Sequence, residues 1–213
     1  DPAVDHYFKR FVRDFLHYHD SIYCAAGKTV KAIQAEGAQR GFPVDDEGGG
    51  GFSAMHIRRG DFQYKRVKIS AEEWYENTKE LWLPNEILYI ATDERNKTWF
   101  DPIQKHHTLR FLDDYWDVAG LADVDPNHFG MIDTIIASRA RAFAGTWFST
   151  FSGYINRMRG HHGITMKDSW YSFLPKKDAV HEWKNYSGSI YAYESPLGWI
   201  GIDADVTPSK NKF

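Results

Sequence analysis

The chain has 213 residues, 42% hydrophobic and 16% aromatic, with a formal charge of -3 and a pI near 6.4. That size suits one large domain, alone or with a small appendage, and the composition can build a core, so general disorder is not indicated. The slight acidity argues against a general nucleic-acid binder, and no run approaches about 18 uninterrupted apolar residues, so no membrane span is expected. The opening DPAVDHYFKR does not read as a signal peptide, and Asp at position 1 suggests a chain that is processed, a fragment or trimmed. Cys24 is the sole cysteine, so no intramolecular disulfide can form. Asn96-Lys97-Thr98 and Asn185-Tyr186-Ser187 are sequons that would accept glycans in the secretory pathway, but taken alone they leave the compartment open.

In chain order, Tyr7, Phe8, Phe11, Phe15 and Leu16 recur at helical spacing, and a second helical stretch runs from about Ser21 to Ala35. FPVDDEGGGG follows, acidic and glycine-rich, and reads as a flexible connector. It sets an expected boundary, with residues 1–46 a helical segment plus linker and 47–213 a second unit. Residues 52–58 read as a strand. Ser70-Ala71-Glu72-Glu73 has the form of a capping box and opens a helix to about Trp82. ILYIATD, residues 87–93, is a second strand. A short helix from Glu94 to about Lys105, distorted at Pro102, leads to strand TLRFL, residues 108–112. A helix over roughly Phe129–Arg139 is apolar at Ile132, Ile135 and Ile136. ARAFAG, residues 140–145, is the next strand, and a helix from about Ser149 to Arg159 follows. Strands alternating with helices imply a parallel sheet covered on both faces, a Rossmann-like α/β domain. Beyond residue 164 the sequence, rich in Trp, Tyr and Gly, gives no clear element.

Ligands of open α/β sheets bind at the carboxyl ends of the strands. Three such ends carry polar groups: His56, Arg58 and Arg59; Thr92 and Asp93; and Gly145 to Ser152. GTWFSTFSGYI puts Ser149, Thr150 and Ser152 between a strand and a helix. Free N–H groups and the positive end of the helix dipole there favour an anion such as a pyrophosphate, although plain N-capping explains the same hydroxyls. Arg58 and Arg59 offer planar forks that match phosphate oxygens, or that form salt bridges to Asp61 or Glu72. His56 shares a strand face with Arg58, either as a hydrogen-bonded core histidine or as a donor to a ligand. No G-x-x-x-x-G-K-[ST] or G-x-G-x-x-G occurs, which leaves out P-loop and ordinary dinucleotide folds. The pairs His106-His107 and His161-His162 have poor geometry for one metal. The D-x-D strings at 123–125 and 203–205 have the form in which some sugar transferases hold a divalent cation, but such strings are common in loops and no metal ligand is expected.

HIRRGDF, IATDE and DTIIASRARAFAGTWFSTFSGYINRMRG, in that order, resemble three sequence blocks of the protein O-fucosyltransferase family. Members are inverting, metal-independent transferases of GT-B architecture that use GDP-fucose. The likeness runs from about Phe52 to Gly160. It implies the donor-binding half of a GT-B enzyme, with GDP-fucose as donor substrate, no further cofactor, and a hydroxyl acceptor on a protein or glycan. By the same resemblance, Arg58 would bind the β-phosphate and stabilise the departing GDP, and His56 would lie beside the nucleotide. Asp133 would recognise the guanine edge, Ser149, Thr150 and Phe151 would hold the pyrophosphate, and Asp93 would line the nucleotide pocket. Arg59 and Asp61 stand at matching positions whose duties vary within the family. The implied compartment is the endoplasmic reticulum or Golgi lumen.

Family members also carry an N-terminal Rossmann-like half that contributes acceptor contacts. Here the residues before Phe52 read as helical, so that half lies upstream of Asp1 or is absent, the first being the expectation. Three functions stay open on the sequence: fucosyl transfer, a module that keeps GDP-sugar affinity without catalysis, and a metal-dependent transferase using a D-x-D string.

Overall fold

Ser53–Ile57 is buried along its whole length, and such a two-sided apolar run belongs in the middle of a parallel sheet. In the computed structural model it is the central strand, β1, of five parallel strands. The others are β2 (Ile87–Thr92), β3 (Thr108–Arg110), β4 (Phe143–Gly145) and β5 (Ser169–Tyr171), in the order β3-β2-β1-β4-β5. The structure describes residues 1–179 except 2, 5, 6, 9, 10, 12–14, 46, 47, 62, 64 and 162–167. The tail sequence read no element for β5, a three-residue strand paired with β4 alone.

Helices cover both faces. Met55, Ile57, Leu88 and Ile90 meet α2 (Ala71–Thr78) and α3 (Asp101–Gln104) through Trp74 and Ile103. Ala54, Tyr89, Ala91 and Phe143 form the opposite face, against α1 (Asp20–Gln39), α5 (Phe129–Ser138) and α6 (Thr150–His161). The chain steps outward from β1 to β3 and then returns to the other side of β1, and this reversal puts the two helix sets on opposite faces. α1 contributes Ile22, Ala26 and Ile33 to the same core as Phe52 and Ile136. Burying one such isoleucine is worth about 1.5–3 kcal/mol.

Several boundaries differ from those expected, each for a local reason. α1 outruns the expected Ala35 and ends at Gln39, where the Phe42 N–H reaches back to the Gly37 carbonyl at 3.0 Å and the Gly41 N–H to the Ala38 carbonyl, closing a Schellman motif. The glycine run expected as a flexible connector is packed instead: Gly49, Gly50 and Gly51 are buried, and the Gln34 amide donates to the Gly48 carbonyl at 3.0 Å. Ser70 caps α2 as expected, its Oγ accepting from the Glu73 N–H at 3.2 Å. α2 tightens into a 3₁₀ turn (Lys79–Leu81) after Thr78, whose φ of -124° leaves the helical region. The stretch 94–105 is a 3₁₀ turn capped by Asn96 and then α3, in whose first turn Pro102 is tolerated. A 3₁₀ turn at Leu112–Tyr115 and α4 (Trp116–Ala119), not anticipated, carry the chain from β3 toward α5. In the first aromatic stretch the described positions Tyr7, Phe8, Phe11 and Phe15 are helical with exposed rings.

Candidate functional site at the strand switch

The strand order reverses between β1 and β4, and the crevice at such a point, outside the carboxyl ends, is where open α/β sheets bind ligands. Thr146 ties the two strand ends together. Its hydroxyl donates to the His56 carbonyl at 2.9 Å and accepts the Arg58 N–H at 2.9 Å, and its own N–H donates to the same carbonyl at 3.0 Å.

The two arginines go different ways. Arg58 Nε lies 3.2 Å from Asp93 Oδ2, and none of the described residues engages its terminal nitrogens. Arg59 turns to the β2 side, with Nε 3.1 Å from Glu94 Oε2 and its guanidinium carbon 4.1 Å from the centroid of the Trp99 ring. Neither pairs with Asp61 or Glu72, the partners the sequence offered. Asp93 is occupied by the protein itself: Oδ1 accepts the Arg59 N–H at 2.7 Å and Oδ2 the Gly60 N–H at 2.9 Å. A Cβ at position 60 would stand 2.4 Å from Oδ2, so only glycine lets the turn close onto this carboxylate. Asp61 is exposed and has no ion pair among the described residues.

His56, two residues before Arg58 and near the end of β1, is buried under α6. Its Nδ1 is 2.7 Å from Ser152 Oγ, and its ring stacks on Phe151 with centroids 4.4 Å apart. Burial, with Arg58 nearby, lowers its pKa to about 3 against the opposing pull of Asp93, so the imidazole is neutral at physiological pH. This close seat for α6 depends on Gly145, where a Cβ would meet Ser152 Oγ at 2.6 Å. Ser149 and Thr150 lie at the start of α6, and neither hydroxyl bonds to any described residue, so they do not act as the simple caps the sequence allowed.

Asp133 sits on α5 one turn beyond Gly130, which approaches the Phe151 ring. The Tyr89 hydroxyl donates to Asp133 Oδ1 at 2.5 Å. Burial, with a smaller push from Asp113, raises the Asp133 carboxyl to about 7 even though the Tyr89 bond pulls it down. Tyr89 itself is driven well above its usual range by burial beside that carboxylate.

The sequence reading missed Thr146, Tyr89 and Arg159. A lone tyrosine in the aliphatic strand ILYIAT did carry a signal, since a buried hydroxyl needs a partner. Arg159 is fully buried on α6, where it donates to the carbonyls of Ala140, Arg141 and Asp168 and to Ser169 Oγ, fastening the far end of the helix to β4 and β5. Of the D-x-D strings, Asp125 is spent capping a 3₁₀ turn through the Asn127 N–H at 2.8 Å, and 203–205 lies outside the described residues. Among the described residues no group of three or more His, Cys, Asp or Glu is placed to share a metal ion, and no helix is long and apolar enough to cross a membrane.

No curated protein matches the chain. The family model described as GDP-fucose protein O-fucosyltransferase matches residues 2–162, most of the chain and all of the switch-point site. The chain, whose parallel α/β sheet carries polar groups around the β1–β4 crevice, therefore belongs by this match to the GDP-fucose protein O-fucosyltransferase family, a family of glycosyltransferases.

Proposed function

We propose that the chain is the donor-binding half of a GT-B enzyme that transfers fucose from GDP-fucose to a hydroxyl acceptor with inversion and without a metal ion. The observation that carries this reading is the state of Arg58: its Nε is braced on Asp93 beside neutral His56, which leaves the terminal nitrogens as a fixed fork. Such a fork matches two phosphate oxygens. In the reaction the acceptor hydroxyl oxygen attacks C1 of the sugar, the C1–O bond to the β-phosphate breaks with its electron pair passing to the phosphate oxygen, and the hydroxyl proton is given up to solvent or to the released phosphate. Charge grows there as the bond breaks, so a cation already in position stabilises the transition state more than the bound donor. The amides and unengaged hydroxyls of Ser149 and Thr150 at the start of α6 hold the diphosphate, with Phe151 and His56 forming the wall beside it. Asp133 accepts the guanine N–H donors. Arg59, tied to Glu94 and Trp99, and Asp61 serve at the rim. The lumen of the secretory pathway is the proposed compartment, and the exposed Asn96 sequon suits it.

Water can replace the acceptor, so release of free fucose from GDP-fucose tests the proposal before any acceptor is known. Arg58→Ala should lower that rate by roughly 10²–10³, about 3–4 kcal/mol, with the unfolding transition unchanged. Parental turnover in this variant would remove Arg58 from the mechanism.

A further inference from the structure

The turn between β2 and α3 carries a motif with no part in the transfer reaction. Asn96-Lys97-Thr98 is one of two sequons in the chain, and the other, at Asn185, lies outside the described residues. Asparagine in such a motif takes an oligosaccharide when a chain passes through the secretory lumen, provided that the middle residue is not proline and the fold leaves the side chain at the surface. Three residues are a weak signal by themselves, so the local geometry decides.

The two atoms of the Asn96 amide are treated differently. Oδ1 accepts the Thr98 N–H at 3.2 Å and the Thr98 hydroxyl at 2.8 Å, which caps the 3₁₀ turn Lys97–Phe100. No described residue engages Nδ2. The turn itself is well anchored: the Asn96 N–H donates to Glu94 Oε1 at 2.8 Å, the Asn96 carbonyl accepts the Trp99 N–H at 3.1 Å, and Phe100 is fully buried. Lys97 is taken up by the Phe111 ring at 4.7 Å and by Asp113 at 3.6 Å. Asn96 and Thr98 are both exposed. A sugar on Nδ2 leaves the carbonyl oxygen in place, and with it both bonds to Thr98. The nitrogen that the fold does not use is the one the modification needs.

We infer that Asn96 is a site of N-linked glycosylation, with Nδ2 as the modified atom and a lipid-diphosphate-linked oligosaccharide as the source of the sugar. The inference rests on the lumenal compartment proposed above. Nδ2 bonds to C1 of the first sugar, the C1–O bond breaks with its electron pair leaving on the lipid diphosphate, and the displaced amide proton passes to a base of the lumenal transferase. The glycan stands on the β2 side of the donor crevice. Glu94, which holds the Asn96 N–H through one carboxylate oxygen, pairs with Arg59 through the other at 3.1 Å.

The test produces the whole chain behind a cleavable secretory leader in a eukaryotic cell. The chymotryptic peptide spanning residues 90–99, which excludes Asn185, is weighed before and after enzymatic release of N-glycans. Secreted and cell-retained chains are both read, so poor secretion leaves the answer intact. In the parent this peptide should carry a glycan, and Thr98→Ser should keep it. Thr98→Val should lose it, as should Asn96→Asp, which retains the capping oxygen. An unmodified peptide in most parent molecules, or a glycan that survives Thr98→Val, would overturn the assignment. The leader supplies entry to the lumen, so the outcome reads the site and not the address. GDP-fucose hydrolysis judges the transferase reading separately. A chain glycosylated at Asn96 that releases no fucose keeps the site and loses that reading, and an active chain left bare at Asn96 loses the site alone.

Discussion

Lowering the pH should loosen the donor nucleotide through Asp133. The guanine edge presents N–H donors, which only an ionised carboxylate can accept in full. The Asp133 carboxyl stands at about 7 because burial opposes its charge more than the Tyr89 hydroxyl supports it. The apparent dissociation constant is the intrinsic one divided by the ionised fraction. That fraction is about nine-tenths one pH unit above the pKa and about one-tenth one unit below it, so affinity should fall about tenfold across the window, or ~1.4 kcal/mol. GDP-fucose is the right probe, because its pyrophosphate is a diester with no ionisation near neutrality. His56, held near 3, stays neutral throughout. Calorimetric titration at several pH values gives the slope. Asp133→Asn should bind weakly with a flat profile, and Tyr89→Phe, lacking the bond that lowers the pKa, should move the midpoint upward. The stability of the unliganded chain runs the opposite way. A carboxyl whose folded pKa is raised favours the fold below its unfolded value, and that contribution is lost as pH rises through the folded one. Ligand affinity and apo stability should thus respond to Asp133 with opposite signs. A flat affinity profile in the parent, or the parental slope in Asp133→Asn, would refute the assignment.

Three further outcomes follow from other contacts. Asp93→Asn sets an amide donor against the backbone donors of Arg59 and Gly60 and loosens the brace on Arg58. Donor hydrolysis kinetics should show turnover down about tenfold or more with KM little changed, and a raised KM with unchanged turnover would point instead to plain loss of binding. Gly145→Ala drives a Cβ into Ser152, which should cost about 1–3 kcal/mol in denaturant unfolding; a neutral result would mean that α6 can withdraw freely. Arg159→Met keeps the bulk of the side chain and strands three carbonyls and a hydroxyl, so a loss of about 3 kcal/mol or more is expected by the same measurement. Parental stability there would show that water replaces the guanidinium.

Much of the frame was readable from hydrophobic pattern alone. Residues 87–91 are an unbroken apolar run and 52–57 a largely apolar one interrupted by Ser53 and His56, as a two-sided sheet position favours, and α5 announces itself through Ile132, Ile135 and Ile136. Where signals were short they failed: α4 is a single turn whose clearest sequence mark is its terminal Gly120, and β5 has three residues in an aromatic-rich tail. In the site, the strand-end rule picked out His56, Arg58 and the 145–152 segment. The opposite fates of Arg58 and Arg59, which lie past the end of β1 at Ile57, were not within reach. Nor were pairings between distant elements. Nothing near Asp133 in sequence announces Tyr89, and a threonine after β4 gives no sign that it will bond across to β1.

That threonine sets the tolerance of the whole device. At the switch point the chain leaves β1 and β4 toward opposite faces of the sheet, and a splay there would separate the proposed phosphate fork of Arg58 from the start of α6. One hydroxyl, giving to His56 and taking from Arg58, closes the seam, so the aperture is already set in the unliganded chain, and under the proposed donor role little binding free energy would go into shaping it.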